Sequence, residues 1–252
     1  MIRLSMIKKS YGSKQVLEEV NLEVGKRELL CLVGPNGSGK TTTLNIVAGL
    51  CPPDEGTVLI NNVLMDGRAE NHLVHVNPSE RKIGYVFQDY ALFPHMTVRE
   101  NISYGLKARH MQKEELQKRT QGLLELVGLP EHSEHYPYQL SGGQKQKTAL
   151  ARALAIEPEV LLLDEPLAAL DLRTRESLRV ELKRILGSLE ITSIYVTHEL
   201  AEAYEVSDRI AVMGVGRIEQ TGSRDEVFSK PTPYVAQFLG QNTNNGNRSS
   251  HG

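Results

Sequence analysis

The sequence predicts an α/β fold: a phosphate-loop core built on a mostly parallel sheet, with a small antiparallel β-part near the N-terminus and an inserted helical subdomain. Three observations carry this expectation. Continuous apolar runs of strand length alternate with segments of helical periodicity, as in a parallel sheet covered by helices. A glycine-rich loop follows one of the most apolar runs and leads into a helical stretch. Between residues 87 and 160 the strand pattern gives way to helix, which marks an insertion.

The elements follow in order. Val20, Leu22 and Val24 alternate as in a half-buried strand. Leu29-Leu30-Cys31-Leu32-Val33 is continuous and reads as a strand covered on both faces. Residues 42–50 read as a helix, and strand-like runs follow at 57–60, 83–87, 160–163, 194–197 and 210–213. Leu116, Leu123, Leu124 and Val127 share one helical face. Ser141-Gly142-Gly143-Gln144 has the form of a capping box and opens a helix to about residue 156. Leu178, Leu182, Ile185 and Leu189 stripe another helix, and Ser223 with Glu226 opens a short one. Residues 1–240 are expected to form one domain, with the helical subdomain at about 88–158. Residues 241–252, polar and without an apolar anchor, are expected to be a disordered tail.

Composition excludes several classes. Lys plus Arg is 29 against 31 Asp plus Glu, a net charge of −2, which argues against holding nucleic acid by bulk phosphate neutralisation. Two cysteines, Cys31 and Cys51, make no disulfide framework and point to a reducing compartment. No apolar run approaches the roughly 18–20 residues that span a bilayer, and no secretory signal is evident. A soluble, intracellular chain is expected, with any membrane role coming through a partner.

Gly34-Pro35-Asn36-Gly37-Ser38-Gly39-Lys40-Thr41 matches the phosphate-loop pattern between a strand and a helix. The glycines let successive N–H groups point into one concavity, and the helix start adds its positive dipole end. Lys40 suits the β- and γ-phosphates, and Thr41 offers a hydroxyl to Mg²⁺. The apolar run at 160–163 ends in Asp164 and Glu165. An aspartate at a strand tip suits Mg²⁺, and a carboxylate next in line can deprotonate an attacking water. His198 ends another strand and could donate a hydrogen bond to a γ-phosphate oxygen. Ser141 with Gly142 and Gly143 makes a second anion-binding helix start. Within one chain the two starts would have to face each other; alternatively, two copies pack head to tail and each completes the other's nucleotide site. His72 with His75, and His132 with His135, are spaced three apart but lack a zinc pattern, and read as solvated surface residues. Cys31 and Cys51 read as packing residues.

With these motifs in order, the chain resembles the nucleotide-binding subunit of an ATP-binding cassette (ABC) transporter over nearly its whole length. The resemblance implies an ATPase that binds ATP and Mg²⁺ with Lys40, Thr41 and Thr42, and closes as a homodimer. Gln88, in Tyr85-Val-Phe-Gln88, lies where the family has a glutamine that contacts Mg²⁺ or water and couples to the helical subdomain. Tyr11 lies where an aromatic stacks on adenine, and Asp171 in the loop that communicates between the dimer's sites. Two departures stand out: Lys147 where many relatives have arginine, and Ala168 where serine is common. Single phosphate-loop content and the segments 91–106 and 231–240 resemble importers of mineral ions, oxyanions, polyamines and sugars. Integral membrane permease subunits, an indirect extracytoplasmic solute-binding protein, and a peripheral place on the cytoplasmic face of the membrane follow from that resemblance. Residues around Leu92 and Phe93 would form an exposed apolar groove for a membrane subunit. The regulatory β-domain found after the cassette in many of those relatives is expected to be absent. An inorganic anion such as molybdate, tungstate or sulfate is the expected solute. The alternative is a nucleotide-gated regulatory ABC protein not coupled to a transporter.

Overall fold

Alternating burial along the N-terminal strands gives a sheet with a covered face. The computed structural model describes residues 1–69 and 72–246. β1 (Ile2–Tyr11) pairs antiparallel with β2 (Lys14–Val24), and β3 (Leu29–Val33) follows as the continuous apolar strand. β1 also pairs antiparallel with β4 (Glu55–Ile60), and β5 (Val63–Ala69) and β6 (His72–His75) complete the order β2-β1-β4-β5-β6. The β5–β6 hairpin has no counterpart in the expected elements, because its residues show no sustained alternation. His72 and His75 thus lie on a strand, where three-residue spacing does not align side chains as it does on a helix.

By contact the chain divides into two compact units, one of Met1–Arg81 with the chain from Thr192 onward, the other of Lys82–Ile191. The second is wider than the expected insertion of 88–158, because two strands and a long helix come with it.

In the second unit β7 (Ile83–Val86) runs parallel to β8 (Val160–Asp164), in register from Ile83 opposite Val160 to Val86 opposite Leu163. Every residue of β8 is buried, and Leu161, Leu162 and Leu163 each contribute about 1.5–3 kcal/mol of burial. The helices are α2 (Val98–Ala108), α3 (Lys113–Leu126), α4 (Gly142–Ala155) and α5 (Leu172–Leu189). The capping box predicted for α4 is present, with Ser141 and Gln144 bonded reciprocally. The buried stripe of α5 is Leu178, Leu182, Ile185 and Leu186; Leu186 takes the place expected for Leu189.

In the first unit β9 (Thr192–Thr197), β3 and β10 (Arg209–Met213) are parallel, and β11 (Ile218–Ser223) is antiparallel to β10. The helices of this unit are α1 (Lys40–Ala48), α6 (Leu200–Val206), α7 (Arg224–Ser229) and α8 (Pro233–Gly246). The Ser223–Glu226 capping box opens α7 as predicted. α1 begins at Lys40, two residues before the expected start, so the loop's lysine and Thr41 form its first turn. α8 continues through the first six residues of the stretch expected as a disordered tail; residues 247–252 lie outside the described ones. No helix among the described residues is long and apolar enough to cross a membrane.

One buried ion pair ties this unit together. Arg81 Nη1 lies 2.8 Å from Asp66 Oδ2, an ion pair with both side chains enclosed. The same guanidinium donates to the carbonyls of Ile46 and Val47 at 3.1 Å, the last turn of α1. His75 is exposed, as expected, and this surface histidine also has a hydrogen-bonding partner: its Nδ1 lies 2.5 Å from Asp66 Oδ1.

Candidate functional site

The loop from Gly34 to Gly39 is shaped by its main chain. Gly39, at φ 108°, is the N-cap of α1, a conformation that costs glycine little. A Cβ on Gly34 would lie 2.2 Å from the carbonyl oxygen of Met213. Ser38 N–H donates to Pro35 O at 3.2 Å, and Gly216 N–H donates to Ser38 O at 3.0 Å. Lys40 is buried, and its Nζ donates to Gly34 O at 2.8 Å and Pro35 O at 3.0 Å, which holds the ammonium across the mouth of the loop. Ser38 Oγ is buried with no hydrogen-bond partner. A buried hydroxyl in that state costs roughly 1–3 kcal/mol until a ligand meets it. With the first-turn N–H groups of α1 and no acidic residue in that turn, the loop is a cradle fitted to a phosphate.

The other predicted residues of this unit are Tyr11, Thr42 and His198. Tyr11 is 52% exposed, at the end of β1. Its hydroxyl donates to Cys51 Sγ at 3.6 Å, a bond that raises the phenol's pKa together with partial burial. Cys51 is therefore a bonding partner as well as a packing residue, whereas Cys31 is fully buried in β3 and its thiol is pushed well up by desolvation. His198 is half-buried directly after β9. Glu202, which the sequence reading passed over, is buried and accepts from Tyr195 Oη at 2.5 Å and from Thr197 Oγ1. It fixes the strand end from which His198 projects. Its only signal in the sequence was a carboxylate four residues past the histidine.

The second unit carries Gln88, Ser141–Gln144, Asp164, Glu165 and Asp171. Asp164, at the tip of β8, is buried and accepts from Tyr85 Oη at 3.4 Å. Glu165 is half-buried at φ 44°, a left-handed conformation that costs a non-glycine residue about 1–3 kcal/mol and concentrates at functional positions. Gln88 is exposed in the turn after β7. Tyr90 and Ala91, next in that turn, are also left-handed, at φ 65° and 45°. Arg152 of α4 donates to both their carbonyls, at 2.9 and 2.7 Å, and so sets the shape of the segment that leaves Gln88. That arginine is a positioning residue the sequence alone did not single out. Leu92 and Phe93 are half-buried, not exposed; Phe93 is covered by Tyr104 at 4.6 Å between ring centroids and by the Arg152 guanidinium at 5.4 Å. Asp171 is the N-cap of α5, and its carboxyl is held low by the side-chain and backbone bonds of Thr174. Lys147 pairs with Glu181 at 2.7 Å.

A parallel strand opening into a glycine cradle and a lysine–threonine helix start defines a phosphate-loop nucleotide-binding protein. The profile of the ABC transporter family matches residues 17–168, and the chain belongs to that family. It is similar to the sulfate/thiosulfate import ATP-binding protein CysA of Methylococcus capsulatus, at 49% identity over 244 residues, 95% of this chain and 68% of that protein. It is similar also to the protein of the same name from Mycolicibacterium paratuberculosis, at 50% over 233 residues, 92% of this chain and 62% of that protein. The chain thus spans 62–68% of the length of these two curated relatives. Among solved structures it is similar to CbiO1 from Clostridium perfringens, part of the ABC transporter complex cbiONQ, with TM-score 0.80 and 27% identity over 94% of this chain and 98% of that one. A dimeric ATP-binding cassette in a post-hydrolysis state bound to ADP and Pi matches with TM-score 0.76 and 35% identity, over 89% of this chain and 99% of that one.

Proposed function

We infer that the chain is the ATP-hydrolysing subunit of an ABC importer, that it closes as a head-to-tail homodimer on membrane permease subunits at the cytoplasmic face, and that the solute is an inorganic oxyanion of the sulfate type. The observation that carries the ATPase reading is the phosphate cradle with its orphaned Ser38 hydroxyl and the lysine held across it. Support for the solute is the name shared by relatives at 45–50% identity, sulfate/thiosulfate import ATP-binding protein. That name also disfavours the uncoupled regulatory alternative. A solute-binding protein outside the membrane completes the proposed system.

In this reading Gly34–Thr42 grips the triphosphate and Tyr11 stacks on the base. The hydroxyl of Thr41, the amide oxygen of Gln88 and the carboxylate of Asp164 are all oxygen donors, the kind Mg²⁺ takes, and these residues would hold it. When bound, the ion neutralises charge on the β- and γ-phosphates. Glu165 takes a proton from the attacking water as its oxygen bonds to the γ-phosphorus and the bridging P–O bond breaks. His198 donates to a γ-phosphate oxygen. Ser141, with the Gly142–Gly143 N–H groups and Gln144, is supplied in trans by the second copy and closes over the terminal phosphate. Asp171 links the two sites through the start of α5.

Glu165→Gln decides the enzymatic part: phosphate release is lost while ATP binding persists and an ATP-bound dimer accumulates. Turnover at the parent rate would remove Glu165 from the role of base. For the solute, radiolabelled sulfate uptake in cells lacking their own sulfate ATPase subunit should return with this chain and its permease, and not with Lys40→Ala.

A further inference from the structure

The turn before α4 carries the second histidine pair. His132 ends a 3-10 turn, Pro130–His132, and both imidazoles are half-buried. Their Nδ1 atoms are 3.0 Å apart, and Nε2 of His132 is 2.9 Å from the side-chain nitrogen of Gln144. One fixed donor sets every role along this chain. The backbone N–H of Ser141 donates to Oε1 of Gln144 at 2.9 Å, so the other terminal atom of Gln144 is its NH₂ group, a donor only. Nε2 of His132 must then accept, which places its proton on Nδ1. That N–H donates to Nδ1 of His135, whose proton sits on Nε2. The network is complete only with both rings neutral, each in one tautomer.

We propose that His132, oriented by His135, is a positioning residue for the Ser141–Gln144 helix start, holding the Gln144 amide in the rotamer that closes the capping box and releasing it when either imidazole takes a second proton. A proton on Nε2 of His132 would oppose the Gln144 NH₂, and a proton on Nδ1 of His135 would oppose the N–H of His132. The capping box matters because Ser141 Oγ accepts from Gln144 N–H at 3.3 Å, which commits one of the oxygen's two lone pairs and leaves its O–H able to donate to a ligand. The inference rests on the proposed role of this helix start at the nucleotide. Around the pair, Lys147 of α4 is matched by Glu181 of α5 at 2.7 Å, and Glu134 of the turn by Arg99 of α2 at 2.9 Å. Arg173 of α5 lines the same cleft of about 400 Å³, and Glu131 is exposed on the turn. Glu181 and Glu134 are thus already paired to cations.

Long-range ¹H–¹⁵N spectra of the full chain at neutral pH should show His132 protonated on Nδ1 and His135 on Nε2; the opposite tautomers, or a cationic ring, would overturn the assignment. His132→Leu removes the acceptor and should lower kcat about three- to tenfold, the size of a weakened cap, with ATP affinity unchanged. His132→Gln keeps an acceptor but cannot titrate. It should restore most of the turnover and lose the part of the parent's decline on acidification that this histidine causes. Identical pH profiles for the parent and His132→Gln would refute the proposal even if His132→Leu fails to fold. Ser141→Arg separates the two levels. An inactive Ser141→Arg beside silent His132 variants sinks this inference alone, whereas an active Ser141→Arg sinks the functional reading and this inference together.

Discussion

Two helix starts in this chain are proposed to meet phosphate, and they are made in opposite ways. The start of α1 is fixed by main chain: Gly34 lies against the Met213 carbonyl, and Gly39 is left-handed at φ 108° with the Val16 carbonyl oxygen 3.1 Å from where its Cβ would be. The start of α4 is fixed by side chains. Ser141, Gln144 and His132 hold one another, and the space beside Gly142 and Gly143 is bounded by tips of Leu170 and Leu178, at 2.7 and 2.9 Å. A site of backbone donors is preformed, and at Gly34 and Gly39 it admits no added atom. A site of side chains can be adjusted by a rotamer or a proton. The gripping half of the proposed cycle is rigid, and the closing half can be tuned.

The largest effects are chemical. Lys40→Ala should abolish nucleotide binding in titration calorimetry, and Glu165→Gln should cut phosphate release at least about a hundredfold without that loss of binding. Next in size is the anchor at the far end of α1. Arg81→Met leaves Asp66 enclosed without its cation and should destabilise the chain by about 3–5 kcal/mol in urea unfolding. Glycine substitutions then test the contrast itself. Gly34→Ala forces a backbone shift worth about 1–3 kcal/mol, while Gly142→Ala should cost under about 1 kcal/mol because a leucine tip can rotate away. Equal penalties would erase the distinction. Acid gives the smallest effect. Lys9, followed by the Ser10 N–H, holds the Asp54 carboxyl below the usual carboxylate range. Its contribution is present above the unfolded-state value and lost as pH falls through the lower folded one, so Asp54→Asn should show a shallower acid limb in unfolding.

The α1 start was readable from sequence because glycine spacing and Lys-Thr encode backbone shape locally. The α4 capping box was readable for the same reason, a serine and a glutamine three residues apart. What escaped was held at long range. Arg81 and Asp66 lie fifteen positions apart with nothing periodic between them, and their meeting depends on a hairpin whose strands carry no clear alternation. Arg152 reaches a turn 61 and 62 positions earlier in the chain. His132 and His135 looked like surface residues because spacing alone cannot reveal that one imidazole meets an amide already oriented by a cap. The strained φ of Glu165 has no sequence sign at all beyond its place after an apolar strand.

Gly49 ends α1 at φ 76°, and a Cβ there would fall 2.4 Å from Arg81 Nε. The absence of one side chain and the presence of another are thus a single lock. In any lineage descended from this chain the two positions drift as a couple: glycine cannot be surrendered at 49 until arginine has gone from 81, and with the arginine goes the closest crowding at 49.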